Sequence, residues 1–488
     1  MILNQKLIAK VLSAVASVVG AAMLLPAAVS AVYREWDVFR AFLLCALPVL
    51  AAGLIVMRII PSQRSEDLRM RDGFFIVGVS WLVMSLVGAI PFLITGAIPN
   101  FADAYFETAS GFTTTGSTIL SEIEHLPKGI LFWRSFTHWL GGMGVLVLTI
   151  AILPKLGIGG QKIMRAETTG PTMDKISFTV NDTARTLYLI YLVFTVLETS
   201  LLCLGGMNLF DSLVHTFGTV GTGGYSSYNA SIGAFHSGYF EWVIGIFMML
   251  CGVNFSLYSN VYRKTPGKIF RDPEFRVYVA IVGGATLFIT CMLMAHHYYN
   301  GLADTLRTAF FQVSSIITTT GYGTVDFDLW PLPCRFVLFI LMLVGGCAGS
   351  TGGGMKVVRV ILTVKLVKRG IFRKLHPNAV SPIKVGDTIM SAETMSGVAG
   401  FVMLYLFTTL ISTLVLCLEK VSLVTALSSV VACLSNIGPG FEAVGPAMNF
   451  GFYSAPAKML LSLLMIAGRL ELFTVILLFT PAFWNKKK

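Results

Sequence analysis

Charged residues are scarce in this sequence, and long polar segments are scarcer still. Only 12% of the 488 residues are charged, whereas 55% are hydrophobic. Uncharged apolar runs long enough to cross a hydrocarbon layer of about 30 Å recur along the chain. The longest connections between them hold only about 30 residues, too few for a soluble nucleotide-binding domain. The composition therefore excludes an ordinary soluble protein and predicts an all-α polytopic membrane protein.

Motifs for metal binding and catalysis are also missing. The eight cysteines include no CxxC pair, and the seven histidines include no HExxH motif. Their spacing fits neither a zinc site nor a disulfide framework. We find no paired carboxylates and no nucleophile with an adjacent base. We therefore expect that the protein is not an enzyme.

Ten membrane-spanning helices are predicted from the apolar runs. They lie near 8–33, 38–60, 74–96, 131–153, 187–206, 239–261, 277–298, 335–365 (interrupted), 396–418 and 457–480. The first run could instead be a signal peptide cut near Ala31. It is longer than the apolar core of most signal peptides and another span follows at once, so an uncleaved helix is favoured.

Basic residues crowd into alternate connections, and the connections between them are acidic. The basic clusters are Arg58, Arg64, Arg69 and Arg71; Lys155, Lys162, Arg165 and Lys175; Arg263, Lys264, Lys268 and Arg271; Lys365, Lys368, Arg369, Arg373 and Lys374; and Lys486 to Lys488. The positive-inside rule puts these connections and both termini in the cytoplasm. The net charge of +11 is then mainly a topology signal. We expect membrane lipid, and not nucleic acid, as the partner of this surface.

Four short segments rich in threonine, serine or glycine each end on a glycine. They are Thr113-Thr114-Thr115-Gly116, Val220-Gly221-Thr222-Gly223, Thr318-Thr319-Thr320-Gly321 and Ser435-Asn436-Ile437-Gly438. Each follows an apolar stretch too short to span, at 101–112, 209–217, 302–317 and 423–434. A spacing of roughly 100 to 120 residues makes each repeat a small membrane subdomain. The pattern predicts one ring assembled from a single polypeptide.

Irregular backbone inside a bilayer persists only where it is buried in protein or lines water. A half-helix followed by an extended Thr-Gly segment can turn its carbonyl oxygens toward an axis, as in the potassium-channel filter. The alternative is an ordinary turn in a helix bundle, which is reasonable for one loop and hard to sustain for four. The predicted ion ligands are Thr114, Thr115 and Gly116; Gly221, Thr222 and Gly223; Thr319, Thr320 and Gly321; and Asn436, Ile437 and Gly438.

These motifs resemble the TrkH/TrkG/KtrB potassium-uptake proteins, relatives of the plant and fungal Trk/HKT transporters. The resemblance covers essentially the whole chain and is most specific at the two Thr-Thr-Thr-Gly segments, at 222–225 and at 436–440. It implies two extra helices (1–72) and four pore repeats (73–155, 156–264, 265–385 with an interrupted second helix, and 386–488). It also implies that potassium is transported and bound in the filter. Sodium-admitting relatives can carry serine at the first filter glycine, so the intact Gly116 implies potassium preference.

The resemblance further implies an assembly. A homodimer in the cell inner membrane is expected. A separate cytoplasmic ring of the TrkA type would bind nucleotide, whereas this chain would bind none.

A glycine-rich stretch interrupts the eighth span and contains Gly349, Gly352, Gly353 and Gly354. It nearly spells a phosphate-binding P-loop, but Met355 stands where lysine is required and no strand precedes it, so nucleotide binding is rejected. The resemblance implies instead an intramembrane loop that obstructs the pore below the filter, with Lys356 close to the ion path. The alternative is a flexible kink with Lys356 extending to the cytoplasm.

Two charged residues lie inside predicted spans, where charge is costly and usually functional. The resemblance places Arg469 near the pore and implies that it limits flow or assists gating. The alternative for Arg469 is pairing with a carboxylate elsewhere in the bundle. Glu198 has no assigned role. The favoured function is gated, channel-like potassium uptake; the alternative is a proton- or sodium-coupled symporter, for which Glu198 and Arg469 are the candidate coupling groups.

Overall fold

A computed structural model describes residues 3–60, 69–144, 180–262, 265, 267–379, 381–386 and 388–485. The described chain is mostly helical, so the predicted all-α fold is confirmed. Within the described residues, six helices are long and apolar enough to cross a membrane: Gln5–Val32, Trp36–Ile59, Arg71–Ile94, Ala184–Leu204, Pro273–Ala295 and Ala392–Glu419. Several predicted features lie outside the described residues, namely 145–153 of the fourth span and the basic residues Arg64, Lys155, Lys162, Arg165, Lys175, Arg263, Lys264 and Lys486 to Lys488.

The N-terminal part forms two antiparallel spans. The first consists of α1 (Gln5–Ala22) and α2 (Leu24–Val32), and the second is α3 (Trp36–Ile59). The first span bends at Met23, because Pro26 in the next turn has no N–H to donate to the helix. Gly53 of α3 lets α1 approach closely, since a Cβ at Gly53 would lie 3.0 Å from the Ser13 carbonyl oxygen.

Each of the four repeats begins with a long helix, continues with a short helix and returns with a second one. The first helices are α4 (Met70–Ile94), α7 (Val180–Leu204), α12 (Pro273–Ala295) and α16 (Ala392–Leu416). The short helices, called pore helices below, are α5 (Phe101–Phe112), α8 (Leu209–Val220), α13 (Leu302–Ile317) and α17 (Leu423–Leu434). The second helices begin with α6 (Lys128–Gly142), α9 (Gly238–Cys251), α14 (Leu332–Val344) and α18 (Ala455–Arg469).

The remaining elements follow the second helices. They are α10 (Phe255–Tyr262), α11 (Gly267–Arg271), α15 (Val357–Leu375), α19 (Phe473–Phe479), α20 (Pro481–Trp484) and the antiparallel hairpin of β1 (Lys384–Val385) with β2 (Thr388–Ile389). Short 3-10 turns lie at Ser231–Phe235, Phe327–Leu329, Cys417–Glu419 and Glu442–Val444.

The pore helices have the bounds that the sequence predicts, except that the second extends from the predicted residue 217 to Val220. Local side-chain caps stabilise the first turns of α5, α8 and α17, whereas α13 begins after Gly301 and has none. The Asn100 side chain accepts from the Ala102 N–H, and the Asn208 side chain accepts from the Asp211 N–H. Asp103, Asp211 and Asp304 lie in the first turns of three pore helices, where a negative charge interacts favourably with the helix dipole.

The second helices differ from the sequence prediction. Only the eighth span was expected to be interrupted, yet the predicted spans 239–261 and 457–480 are also broken, after Cys251 and Arg469. At the first break the Gly252 carbonyl accepts a hydrogen bond from the Cys347 N–H, at 2.8 Å. At the second, Glu471 and Leu472 have positive φ, of 55° and 58°. Neighbouring repeats thus use backbone groups that a continuous helix would have paired internally.

Glycines near the ends of α6 and α18 allow these second helices to approach the pore helices closely. A Cβ at Gly141 would overlap the carbonyl of Phe112, the last residue of α5. A Cβ at Gly468 would overlap the carbonyl of Leu434, the last residue of α17. The two glycines therefore occupy matching places in the first and fourth repeats, and close approach of the backbones explains why no side chain is present.

We predict that Gly141→Val lowers the free energy of unfolding by about 1–3 kcal/mol, because the added side chain overpacks a backbone contact. Gly283→Val is the matched control: Gly283 also lies within a membrane helix, but its Cβ would have nothing within 4 Å. Thermal unfolding of the two purified variants in detergent measures the difference. Equal transition temperatures for the two would contradict the packing explanation.

Candidate functional site

The backbone takes the same irregular path after each pore helix. Two residues beyond the last helical residue, φ is between 54° and 60°, and two residues later a glycine again has positive φ. The first set is Thr114, Thr222, Thr319 and Asn436, and the second is Gly116, Gly224, Gly321 and Gly438. Alternation of this kind turns successive carbonyl groups to one side, and a bulky residue adopts positive φ only at a cost. We call the three residues from each first-set member to its glycine a filter segment.

The register predicted for the second repeat is wrong by one residue. Gly223 was placed at the position of Gly116, but the structure puts Gly224 at that position and makes Gly223 the counterpart of Thr115. The reason is that α8 continues to Val220, so Gly221 is the residue that closes the helix and matches Thr113. A sequence signal was available, since Gly224-Tyr225 repeats the pair Gly321-Tyr322.

The four filter segments meet in one closed ring. A Cβ at Gly116 would overlap the Gly223 carbonyl oxygen, one at Gly224 that of Thr320, and one at Gly321 that of Ile437. The ring closes where a Cβ at Gly438 would lie 2.8 Å from the Thr115 oxygen. The same Gly116 position is only 3.8 Å from the oxygen of Thr320, which belongs to the opposite repeat. Neutral carbonyl oxygens from all four repeats therefore surround a narrow axis, as in a filter that replaces the water ligands of a cation.

The filter segments are isolated from solvent on their outer sides. The threonines at 114, 115, 222, 319 and 320 and the residues Asn436 and Ile437 are all fully buried. On one side of the ring, residues of all four repeats line a cavity of about 120 Å³, among them Ser117, Tyr225, Gly323 and Pro439. The ion-binding roles of the twelve predicted ligands stay predictions.

Two tyrosines brace the ring, and the sequence analysis did not identify them. The Tyr225 hydroxyl lies 2.9 Å from the Glu107 carbonyl oxygen and 3.1 Å from that of Ser117. The Tyr322 hydroxyl makes the equivalent contacts one repeat later, with the carbonyls of His215 at 2.9 Å and Tyr225 at 3.2 Å. Each tyrosine therefore ties its own filter segment to the pore helix of the preceding repeat.

A buried ion pair supports the first repeat. The side chains of Glu107 and Arg134 are fully buried and lie 2.8 Å apart. Glu107 also accepts hydrogen bonds from the Thr118 hydroxyl at 2.9 Å and the Ile119 N–H at 3.0 Å. The Arg134 guanidinium stacks on the Tyr225 ring at 4.0 Å. Glu107 is thus a structural anchor of the filter and not one of the solvated acids of the outer connections.

The glycine-rich stretch forms a loop (residues 345–356) directly against the filter, called the intramembrane loop below. The Gly353 N–H donates to the Thr319 hydroxyl at 2.7 Å. A Cβ at Gly352 would lie 2.8 Å from the Thr318 carbonyl oxygen, and one at Gly353 would overlap that of Ser435. Gly349 and Gly354 have positive φ, of 71° and 75°, so these glycines also allow the turns of the loop.

Lys356 does not extend to the cytoplasm. It is buried, and its ammonium group donates to the carbonyl of Gly352 inside the same loop. The alternative of a kink with a snorkelling lysine is therefore wrong. The loop is a compact turn closed by its own lysine.

Arg469 bridges three parts of the pore below the filter. Its guanidinium donates to the Thr351 carbonyl of the intramembrane loop at 2.5 Å, and to the carbonyls of Gly141 and Gly142 at 2.7 and 2.8 Å. The neighbouring acid, Glu471, pairs with Arg359 instead. Arg469 of the fourth repeat thus joins the loop of the third repeat to the end of α6 in the first.

Glu198 lies in α7 and is fully buried. Neither of its carboxylate oxygens has a hydrogen-bond partner among the described residues. The same part of the chain contains no cluster of three or more His, Cys, Asp or Glu that could hold a metal ion.

Comparison with known proteins connects this arrangement with transport. Residues 51–486 match the family TrkH, described as a cation transport protein. The chain is 40% identical to the Trk system potassium uptake protein TrkH of Salmonella typhimurium, over 95% of this chain and 96% of that protein. It is 36% identical to the Trk system potassium uptake protein TrkG of Escherichia coli, over 95% of each chain. The crystal structure of the potassium transporter TrkH from Vibrio parahaemolyticus superposes with a TM-score of 0.89 at 36% identity, covering 99% of this chain and 100% of that one.

We predict that Glu107→Gln lowers the free energy of unfolding by about 3–5 kcal/mol, because it leaves Arg134 buried without its counter-charge. Glu241→Gln is the control, since Glu241 pairs with Arg307, whose side chain is 28% exposed. That change should cost no more than about 1 kcal/mol. Thermal unfolding in detergent compares the two, and a smaller loss at Glu107 than at Glu241 would refute the anchoring role.

Proposed function

We propose, because the chain belongs to the TrkH family of cation transport proteins, that it takes up potassium as the membrane subunit of a Trk system. The proposed membrane is the cell inner membrane, with both termini in the cytoplasm. The relatives named above are potassium uptake proteins and span the same length as this chain. The rest of the proposal concerns how the ion passes.

One observation carries the proposed mechanism: glycines of all four repeats lie against carbonyl oxygens of the next repeat in a closed cycle. We propose that potassium binds there, dehydrated, between carbonyl oxygens of the filter segments. The wall is neutral, which favours a weakly hydrated monovalent cation over a divalent one. In the second repeat the proposed ligands are Thr222, Gly223 and Gly224, in place of Gly221 to Gly223.

The intramembrane loop is proposed as the gate. It lies against the filter, where hydrogen bonds of Gly353 and Arg469 hold it, and Lys356 closes the loop on itself. Such contacts support a closed state of a channel-like pathway, in which ions move down their electrochemical gradient once the loop withdraws. Gly349, Gly352, Gly353 and Gly354 provide the bare backbone that this close approach needs.

Assembly with a second copy and with a cytoplasmic regulator is also proposed. Helix α15 carries exposed apolar side chains along one stripe, at Val364, Val367, Ile371 and Leu375. We propose this stripe as the homodimer contact. Basic residues of the same helix support docking of a separate nucleotide-binding ring: Lys365, Lys368, Arg369, Arg373 and Lys374.

A symporter on the same scaffold is the second candidate, and Glu198 is the observation that favours it. A fully buried carboxylate without a hydrogen-bond partner is a reasonable proton acceptor. The channel-like pathway is favoured, because no hydrogen bond joins Glu198 to a filter segment among the described residues.

We predict that Gly321→Ala reduces potassium and rubidium flux at least about tenfold, because its Cβ would overlap a carbonyl oxygen that lines the ring. Gly323→Ala is the matched control two residues away, where the nearest atom to a Cβ would be 3.9 Å distant. Flux into liposomes containing the purified protein measures both, with lithium as the discriminated ion. Wild-type flux that does not distinguish lithium from potassium would refute the filter.

We predict that an imposed voltage alone drives potassium flux at equal pH on both sides, and that Glu198→Gln leaves the reversal potential unchanged. A symporter would behave differently: its reversal potential would shift with the proton gradient, and Glu198→Gln would remove that shift. Voltage-clamped flux in proteoliposomes separates the two. The wild-type protein without a pH gradient is the control.

A further inference from the structure

Glu274 holds together the two ends of the intramembrane loop. It is the second residue of α12, the first helix of the third repeat, and only 8% of its surface is exposed. One carboxylate oxygen accepts from the Ala348 N–H at 2.8 Å and from the Val358 N–H at 3.0 Å. Ala348 lies early in the loop, and Val358 is the second residue of α15, which follows the loop. A single buried carboxylate thus ties both sides of the segment that touches the filter.

Glu274 also caps the N-terminus of α15, for which the residue before the helix provides no side-chain acceptor. The first N–H groups of a helix require acceptors from outside the helix. The residue before α15 is Lys356, which has φ of 75° and makes no side-chain capping bond. A lysine has no acceptor atom, so it cannot cap a helix N-terminus. Glu274 supplies the missing acceptor from another helix.

Glu274 lies among several bases, and the other acids near the loop are Asp272 and Glu471. Lys356, Arg359 and Arg469 all lie at or beside the loop, and Arg359 is paired with Glu471. Hydrogen bonds that involve a charged group are roughly twice as strong as neutral ones, and burial strengthens them further. The two hydrogen bonds that Glu274 accepts therefore add to the backbone contacts that hold the loop.

A cytoplasmic hairpin covers this arrangement. Ile383, beside β1, is buried in one apolar cluster with Ala348 and Val358, the same two residues that donate to Glu274. The Lys365 side chain donates to the Lys384 carbonyl at 2.5 Å and so attaches the hairpin to α15. The hairpin thus packs against the two residues that donate to Glu274.

We propose that Glu274 is a positioning residue of the gate: a latch that holds the intramembrane loop against the filter until transport begins. The latch rests on the proposed function, since it acts on flux only if the loop is the gate. It predicts that loss of the carboxylate releases the loop while the filter, built from other residues, keeps its selectivity.

The experiment compares full-length wild type, Glu274→Ala and Glu274→Gln in liposomes without any cytoplasmic partner. Release of two charge-assisted hydrogen bonds should raise rubidium flux at least about tenfold in Glu274→Ala. Glu274→Gln keeps an oxygen acceptor but no charge, so its flux should lie between those of Glu274→Ala and wild type. Discrimination against lithium should stay at the wild-type level in both variants.

Glu393→Ala is the matched control. Glu393 is the second residue of α16, the first helix of the fourth repeat, as Glu274 is of α12. It is exposed and follows no intramembrane loop. Its removal should leave flux unchanged.

Cys347 provides a second readout that does not depend on flux. It is a buried free thiol next to Ala348 in the loop. Maleimide labelling of its peptide, followed by mass spectrometry, should increase in Glu274→Ala and not in Glu393→Ala.

The two readouts distinguish the latch from the gate. Increased labelling with increased flux supports both. Increased labelling with unchanged flux supports the latch and overturns the loop as the gate. Unchanged labelling overturns the latch, whether flux is unchanged or is lost equally in Glu274→Ala and Glu274→Gln, because a merely structural role would not expose Cys347.

Discussion

Steric exclusion at four glycines sets the distance between the filter segments. At Gly116, Gly224, Gly321 and Gly438 there is no room for a Cβ between one segment and a backbone carbonyl of the next. The positive φ at the same positions turns the carbonyl groups to one side. Spacing and direction therefore depend on one residue type, because only glycine permits both. The tyrosine braces and the loop contacts all build on this ring.

Backbone N–H and C=O groups that irregular segments leave unpaired must form hydrogen bonds with other protein groups inside the membrane. Here the partners come from neighbouring repeats. The break after Cys251 frees the Gly252 carbonyl for the Cys347 N–H, and the Gly349 carbonyl accepts from the Phe255 N–H at 3.0 Å. The Arg469 guanidinium likewise donates hydrogen bonds to the carbonyls of Gly141 and Gly142 at the end of α6. The interrupted helices and the intramembrane loop therefore belong to one hydrogen-bonded arrangement. Each provides partners for backbone groups that the other leaves unpaired.

The four repeats share a backbone and differ in side chains. Five residues before the end of each pore helix stand Glu107, His215, Gln312 and Ser429. Three of these bond to the chain shortly beyond their own filter segment, at Thr118, Ser226 and Thr324. Below the filter the symmetry is lost, since the loop comes from the third repeat and Arg469 from the fourth. A symmetric ring suits a spherical ion, whereas an asymmetric obstruction can be moved by displacing one loop.

The sequence by itself determined the membrane class, the fourfold repetition and three of the four pore helices to the residue. Hydropathy, length and recurring Thr-Gly segments are local properties of the chain, so they can be read without coordinates. It did not determine the register of the second filter segment, because Gly221, Gly223 and Gly224 are equally permissive and only the end of α8 selects among them. The breaks in the second helices, the tyrosine braces and the Glu274 contacts were decided by tertiary structure. Each depends on backbone groups far away in the sequence, in a different repeat for the tyrosines and 74 and 84 residues away in the same repeat for Glu274, and such partners leave no mark in local sequence.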